Sequence, residues 1–173
     1  AYHNETLAYG LAPGAAAAYH VQRMRWGQGA MQILRKLKPL TIKGMTLPQR
    51  INYFAGTATY FEGWQKAIFY AMPLLFFFTG VLPVHVNEQE FLIRLVPYLI
   101  LAIATFELLS RGTGYLLITE RFTMVRFFTY MMTVTALFTR RPLKFNVTPK
   151  GKTGVPFRTY APQLVLAVLS IIA

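Results

Sequence analysis

The chain is organised around one pentapeptide, which reads Gln22-Arg23-Met24-Arg25-Trp26. On a helix, Gln22 shares a face with Arg25, three residues further on, and with Trp26, four residues further on. That face carries an amide, a guanidinium and an indole. A guanidinium grips phosphate oxygens at two points, and an indole offers a flat surface to the C–H face of a sugar. The face therefore has the chemistry to hold a phosphate and a sugar together.

The flanking residues predict that the pentapeptide lies on a helix over residues 14–38. Pro13-Gly14 starts this helix, apolar side chains recur along it at helical spacing, and Lys38-Pro39 stops it. Its basic last turn suits a membrane surface with acidic headgroups, but a solvated helix end has the same composition. Residues 1–14 are predicted to be the last strand and loop of a preceding domain.

The composition favours a membrane protein. Of the 173 residues, 54% are hydrophobic, and the mean hydropathy of +0.37 is too high for an ordinary soluble domain. The net charge of +12 fits a nucleic-acid binder, a membrane-apposed surface or a phosphate-rich substrate. The Lys and Arg residues adjoin long apolar runs and avoid residues 83–90. This is a topology pattern, so nucleic acid is not expected as a partner.

Two absent residue types exclude several kinds of site. The chain has no Cys, so it has no disulfide, no thiolate nucleophile and no Cys-based zinc site. It also has no Asp, and its six acidic residues are Glu5, Glu62, Glu88, Glu90, Glu107 and Glu120. The three histidines are too scattered along the chain to predict a metal site.

Apolar runs predict membrane spans in the second half of the chain. Residues 48–66 have an interfacial composition, and residues 67–86 are uncharged and long enough to cross a hydrocarbon core of roughly 30 Å. A return span is predicted at 95–109, so the two spans form a hairpin.

The last third of the chain has a different pattern. Residues 112–141 predict an amphipathic helix at the interface, residues 142–158 are a polar segment, and residues 159–173 begin a further span. By the positive-inside rule, the basic segments at 14–38 and 140–158 are cytoplasmic, and residues 83–90 lie outside.

Two motifs resemble those of the family-2 processive glycosyltransferases, which include the catalytic subunits of bacterial cellulose synthase. The pentapeptide has the family's form Gln-x-x-Arg-Trp, with Gly10-Leu11-Ala12-Pro13 before it and Gly29 after it as in the family. Further on, the chain matches the cellulose synthase gating-loop pattern Phe-x-Val-Thr-x-Lys with Phe145-Asn146-Val147-Thr148-Pro149-Lys150.

The resemblance implies a mainly α-helical, integral membrane fold. Residues 1–47 would be the C-terminal end of a GT-A-type α/β glycosyltransferase domain, and residues 48–111 an interfacial segment with a transmembrane hairpin. Residues 112–141 would be an amphipathic interface helix, residues 142–158 a gating loop, and residues 159–173 the start of a further, truncated transmembrane helix. The chain would then be a C-terminal fragment of a multi-pass protein of the bacterial inner membrane.

The resemblance also implies roles for single residues. Trp26 would support the acceptor end of the glucan, while Arg25 and Gln22 would reach the donor diphosphate. Other members of the implied site are the gating-loop residues Phe145, Val147, Thr148 and Lys150 and the glucan-channel residues Tyr60, Lys66 and Glu120. The alternative for the carboxylates is structural, because Glu107 and Glu120 can equally pair with Arg94, Arg111 or Arg121.

The implied function is elongation of a β-1,4-glucan from UDP-glucose, with extrusion of the polymer across the membrane. In the family, the catalytic base and the ligands of Mg²⁺ are Asp residues upstream of the pentapeptide. No catalytic residue or metal ligand is therefore expected in this chain, and the chain alone is expected to be inactive. Expected partners are UDP-glucose, the growing glucan and the lipid bilayer; a periplasmic cellulose synthase subunit and regulation by cyclic-di-GMP through a downstream domain are left open.

Two other functions remain open at this stage. One is synthesis of another polysaccharide, such as a mixed-linkage glucan, curdlan or an amino-sugar polymer. The other is a non-catalytic membrane channel or scaffold subunit, which the absence of Asp favours.

Overall fold

The computed structural model describes residues 5, 9–10, 12–81, 87–139, 154 and 156–173. Within these ranges the chain is helical and has no strand, so the described residues do not show the strand predicted within residues 1–14. The α-helices there are α1 (Ala16–Leu37), α2 (Leu47–Ala58), α3 (Glu62–Thr79), α4 (Glu88–Ser110), α5 (Leu116–Val134) and α6 (Phe157–Ile172).

Helix α1 confirms the helix predicted around the pentapeptide. It begins in the Ala-rich segment that follows Pro13-Gly14, where helix propensity is high. It ends where Lys38 adopts a left-handed conformation, with a φ of 46°. Pro39 follows directly and has no N–H to continue the helix.

Helix α2 begins with a capping box within the predicted interfacial segment. The Thr46 side chain bonds the backbone of Gln49, and the Gln49 side chain accepts a hydrogen bond of 2.9 Å from the Thr46 amide. A 3-10 turn, Thr59–Phe61, connects α2 to α3. The turn places Tyr60 beside α5.

The predicted first span, residues 67–86, has the wrong bounds. Helix α3 begins earlier, at Glu62, and ends at Thr79, because Gly80 turns the chain with a φ of 66°. At 1.5 Å per residue, the uncharged part of α3, residues 67–79, is only about 20 Å long. Residues 82–86 lie outside the described ranges.

Helix α4 corresponds to the predicted return span. Asn87 caps it by accepting a hydrogen bond of 3.2 Å from the Gln89 amide. Within the described ranges, α4 alone is long and apolar enough to cross a membrane, and none of its residues is buried. This exposed apolar helix indicates association with a membrane. Of the two spans in the predicted hairpin, only the second, at residues 95–109, corresponds to a helix of this kind within the described ranges.

Helix α5 is the helix against which the others pack, since it contacts α1, α3, α4 and α6. Its buried side includes Phe127, Tyr130 and Val134, together with threonines whose hydroxyls bond to carbonyls of the same helix. Residues 112–141 therefore contain the predicted helix, and one of its sides is buried against other helices. Its placement at a membrane interface stays a prediction.

Two glycines let α1 and α3 approach α5 closely. A β-carbon on Gly27 of α1 would lie 2.5 Å from the Thr133 side chain. A β-carbon on Gly63 of α3 would lie 2.5 Å from the Phe127 carbonyl oxygen and 2.6 Å from the Met131 amide nitrogen. Small residues at such crossings allow direct contact between helix backbones. These contacts determine where α1 and α3 place their polar side chains.

Candidate functional site

The predicted binding face of α1 is less buried than the side of the helix that packs on α5. Gly27 and Met31 are buried against α5 and the turn after it, whereas Gln22 and Arg25 are half-buried and Trp26 is 46% exposed. The opposite placement follows from helical spacing, because Met31 lies about half a turn around the helix from Gln22. The amide, guanidinium and indole thus share one side of α1, as their spacing predicts.

Arg25 lies at the edge of that face and also lines a cavity of about 400 Å³ between α1, α5 and α6. Arg158, at the start of α6, lines the same cavity, so arginines from distant parts of the sequence contribute to its wall. His20 and Thr129 also line it, and their Nδ1 and Oγ1 atoms are 2.8 Å apart. Burial lowers the pKa of His20, which favours the neutral imidazole at neutral pH.

Sequence reasoning gave no role to Arg23, the second residue of the pentapeptide. Its guanidinium carbon lies 5.1 Å from the ring centroid of Tyr19 and 5.0 Å from that of Trp26. The three residues are spaced at i, i+4 and i+7, which places them on one helix face. This spacing is the signal that could have revealed the stack from the sequence.

The predicted channel residues Lys66 and Glu120 form an ion pair. The Lys66 Nζ atom lies 2.7 Å from a carboxylate oxygen of Glu120, joining α3 to α5. The alternative that Glu120 pairs with Arg94, Arg111 or Arg121 is therefore wrong. The Lys66 side chain is 17% exposed and that of Glu120 is 46% exposed, so the carboxylate keeps an accessible edge. No ion pair of Glu107 is present within the described ranges.

Tyr60, the third predicted channel residue, packs on the ring of Tyr130 with 4.7 Å between centroids. Arg126 lies 5.1 Å over the other ring of this pair and contacts Glu62 at 3.3 Å. Burial and the neighbouring Tyr130 raise the pKa of Tyr60, whereas Arg23 and Arg126 act to lower it. The net effect keeps the phenol protonated, so it can donate a hydrogen bond.

The gating-loop prediction lies outside the described ranges. Phe145, Val147, Thr148 and Lys150 all fall within residues 140–153, about which the structure makes no statement. The assignment of this loop stays a prediction.

The described ranges contain no group of three His, Asp or Glu side chains that could hold a metal ion.

Comparison with known proteins gives a consistent set of relatives. The chain is 33% identical over 153 residues to a protein of Komagataeibacter sucrofermentans named cellulose synthase catalytic subunit (UDP-forming), covering 87% of this chain and 20% of that protein. It is 31% identical over 177 residues to cellulose synthase 1 catalytic subunit (UDP-forming) of Komagataeibacter xylinus, covering 98% of this chain and 23% of that protein.

A more distant relative carries the same name. The cellulose synthase catalytic subunit (UDP-forming) of Pseudomonas fluorescens is 27% identical over 170 residues, covering 95% of this chain and 23% of that protein. The chain thus spans about a fifth to a quarter of the length of these relatives. No protein-family model matches the chain, and no solved structure gives a significant match.

Proposed function

The chain is a homologue of the bacterial cellulose synthase catalytic subunits, and from this premise we propose that it forms part of a membrane-embedded processive glycosyltransferase. The enzyme polymerises β-1,4-glucan from UDP-glucose and extrudes the polymer across the bacterial inner membrane. The observation that carries this proposal is the similarity to these subunits over most of the chain. The side chains presented by α1 and α3 supply its chemistry.

Arg25 is proposed to bind the diphosphate of the sugar donor. Its guanidinium lies at the edge of the exposed face of α1 and can contact two phosphate oxygens in one plane. Negative charge grows on the leaving nucleoside diphosphate as the glycosidic bond forms. A cation aimed at that group therefore stabilises the transition state more than the bound donor. Gln22, one turn earlier, adds an amide donor and acceptor beside the same group.

Trp26 is proposed to support the terminal sugar of the acceptor. Its indole is 46% exposed, so part of the ring is accessible to a sugar. Stacking on an aromatic ring is tolerant of sliding, because it needs no fixed hydrogen bond. Such a contact suits a polymer that must advance by one residue in each cycle.

Tyr60, Lys66 and Glu120 are proposed to begin the glucan path at the junction of α3 and α5. Because Lys66 and Glu120 neutralise each other at 2.7 Å, they can contact sugar hydroxyls without leaving a single uncompensated charge near the membrane. The exposed edge of the Glu120 carboxylate can accept a hydrogen bond from a sugar hydroxyl. The Tyr60 ring adds a further stacking surface.

The remaining functions are assigned by resemblance alone. Phe145, Val147, Thr148 and Lys150 are proposed to contact the bound nucleotide as a gating loop. The acceptor hydroxyl must lose a proton, and the donor requires Mg²⁺, but this chain has no Asp and its described part offers no metal-binding cluster. We therefore assign the base and the metal ligands to residues outside this chain and expect the chain alone to transfer no sugar.

The proposal is tested with the full-length protein in purified membranes and radiolabelled UDP-glucose. The expected product is a polymer that a β-1,4-specific glucanase digests completely. Arg25→Lys should lower turnover by orders of magnitude, because an ammonium cannot make the planar two-point contact. Arg121→Gln, which removes an exposed cation elsewhere on α5, is the control and should leave turnover unchanged.

Three outcomes would contradict the proposal in different ways. A product with another linkage would identify a synthase of a different polysaccharide. No incorporation by a folded protein, under any donor tried, would favour a channel or scaffold. Normal turnover in Arg25→Lys would refute the role given to α1.

A further inference from the structure

Arg23 is held by aromatic rings on both sides. Its guanidinium carbon lies 5.1 Å from the Tyr19 centroid and 5.0 Å from the Trp26 centroid, within the ~6 Å reach of a cation–π contact. A planar guanidinium placed in this way restricts the rotation of both neighbouring rings. The result is a three-layer stack along one face of α1, with the cation in the middle.

Stacking is the main interaction that holds this guanidinium. The ion pairs within the described ranges are Lys66 with Glu120 and Arg126 with Glu62, so Arg23 takes part in neither. The Nε atom of Arg23 is buried and has no hydrogen-bond partner there. The contacts that remain for this guanidinium are those with the rings of Tyr19 and Trp26.

A second set of rings and a guanidinium lies where the turn after α2 meets α5. Tyr60 packs on Tyr130 there, and Arg126 lies over the Tyr130 ring. The positive charge of Arg23 also acts to lower the pKa of the Tyr60 phenol.

We propose that Arg23 is a positioning residue, which holds the indole of Trp26 in the orientation that receives the acceptor sugar. This inference rests on the proposed function, because it concerns the acceptor platform of that enzyme. An unrestrained indole would lose rotamer freedom each time it bound a sugar, whereas an indole already ordered by Arg23 loses little. Arg23 therefore acts on the retention of the glucan between cycles and not on bond formation.

The test compares product length with the rate of UDP release in the full-length enzyme. Product length in a processive enzyme is the ratio of the elongation rate to the dissociation rate of the acceptor. Loss of one or two cation–π contacts should raise acceptor dissociation by about two- to ten-fold. Arg23→Gln should therefore shorten the polymer by that factor, while UDP release stays within about two-fold of wild type.

Two further variants separate positioning from charge and from folding. Arg23→Lys keeps a cation that can still contact the rings but loses the planar stack, so its polymer should be of intermediate length. Arg121→Gln removes the same charge from an exposed position on α5 and should give polymer of wild-type length. If the polymer made by Arg121→Gln were as short as that of Arg23→Gln, general loss of positive charge would explain the effect and overturn the inference.

The orientation of the indole can be followed directly by ¹⁹F NMR of enzyme that contains 5-fluorotryptophan. The Trp26 resonance is identified by its disappearance in Trp26→Phe. It should shift and broaden in Arg23→Gln, change less in Arg23→Lys, and stay unchanged in Arg121→Gln. A purely structural role of Arg23 far from the indole would leave this resonance unchanged.

The same variants distinguish failure of this inference from failure of the proposed function. If Trp26→Ala made polymer of normal length, the acceptor platform itself would be wrong. If Trp26→Ala shortened the polymer but Arg23→Gln changed neither polymer length nor the Trp26 resonance, the acceptor role of Trp26 would be supported and the positioning role of Arg23 would be refuted.

Discussion

Replacement of Gly63 by alanine should push α3 away from α5. A β-carbon at residue 63 would lie 2.5 Å from the Phe127 carbonyl oxygen and 2.6 Å from the Met131 amide nitrogen. Favourable contacts need about 3.5–4.0 Å, so the two helices have to separate by roughly 1 Å. Both close atoms belong to the α5 backbone and cannot rotate aside as the end of a side chain can.

The expected cost follows from two opposing terms. Overpacking of a close contact costs about 1–3 kcal/mol, and the better helix propensity of alanine returns about 1 kcal/mol. The net loss in the free energy of unfolding is therefore about 0–2 kcal/mol, whereas an alanine without the overpacking term should gain about 1 kcal/mol. For a helical unit of this chain's size, each kcal/mol corresponds to a fall in Tm of about 2–4 °C, so the transition that unfolds these helices should fall by up to about 8 °C.

Gly56→Ala in α2 is the matched control. Residue 56 is also a helical glycine, but no atom lies within 4 Å of the position where its β-carbon would be. The alanine there should leave Tm unchanged or raise it by a few degrees, roughly as helix propensity predicts. Any difference between the two variants then reports the contact with α5 and not the loss of a glycine.

The measurement is thermal unfolding of the purified full-length protein, wild type and both variants in the same detergent, followed by intrinsic fluorescence. Separation of α3 from α5 should also weaken the pairs Glu62–Arg126 and Lys66–Glu120, which lie beside Gly63, so polymer synthesis should fall with stability. Equal Tm values for Gly63→Ala and Gly56→Ala would refute the close packing of α3 on α5.

Three other predictions concern pH, topology and the gating loop. Burial lowers the pKa of His20 below its usual 6.5, so at acidic pH the unfolded chain binds a proton more readily than the folded chain. The free energy of unfolding should therefore fall as pH drops below about 6.5. Unfolding curves of His20→Gln should show a weaker dependence on pH. In intact cells, an impermeant thiol reagent should label a single cysteine at Asn87 but not one at Lys152, since the positive-inside rule predicts that residues 140–158 are cytoplasmic. Labelling at Lys152 but not at Asn87 would refute this predicted topology. UDP with Mg²⁺ should slow hydrogen exchange over residues 145–150 of the full-length enzyme, and Thr148→Ala should reduce this effect. Identical exchange rates with and without the ligand would refute the gating loop and indicate an ordinary linker.

Features with local causes were predictable from the sequence. The bounds of α1 follow from Pro13-Gly14 and Pro39, which act on the backbone next to them. The apolar run in α4 is visible by composition alone. The shared side of Gln22, Arg25 and Trp26 follows from helical spacing, as does the Arg23 stack, although the stack was not predicted. The end of α3 was predicted poorly, because an apolar run does not reveal that Gly80 turns the chain.

Contacts between distant residues had no comparable signal. Lys66 and Glu120 are 54 positions apart, and nothing near either residue indicates the other as its partner. The cavity that both Arg25 and Arg158 line likewise requires α1 and α6 to pack on α5.

The sequence by itself determined the helix that carries the pentapeptide, the apolar segment of α4 and the chemistry of the α1 face. Each of these depends on interactions within a few residues of the same chain segment. Only the tertiary structure decided that α5 is the packing centre, that Glu120 pairs with Lys66, and that Tyr60 packs on Tyr130. The physical reason is that these contacts depend on how closely separate helices approach one another. Gly27 and Gly63 permit the close approach of α1 and α3 to α5. The sequence alone does not show which helix faces either glycine.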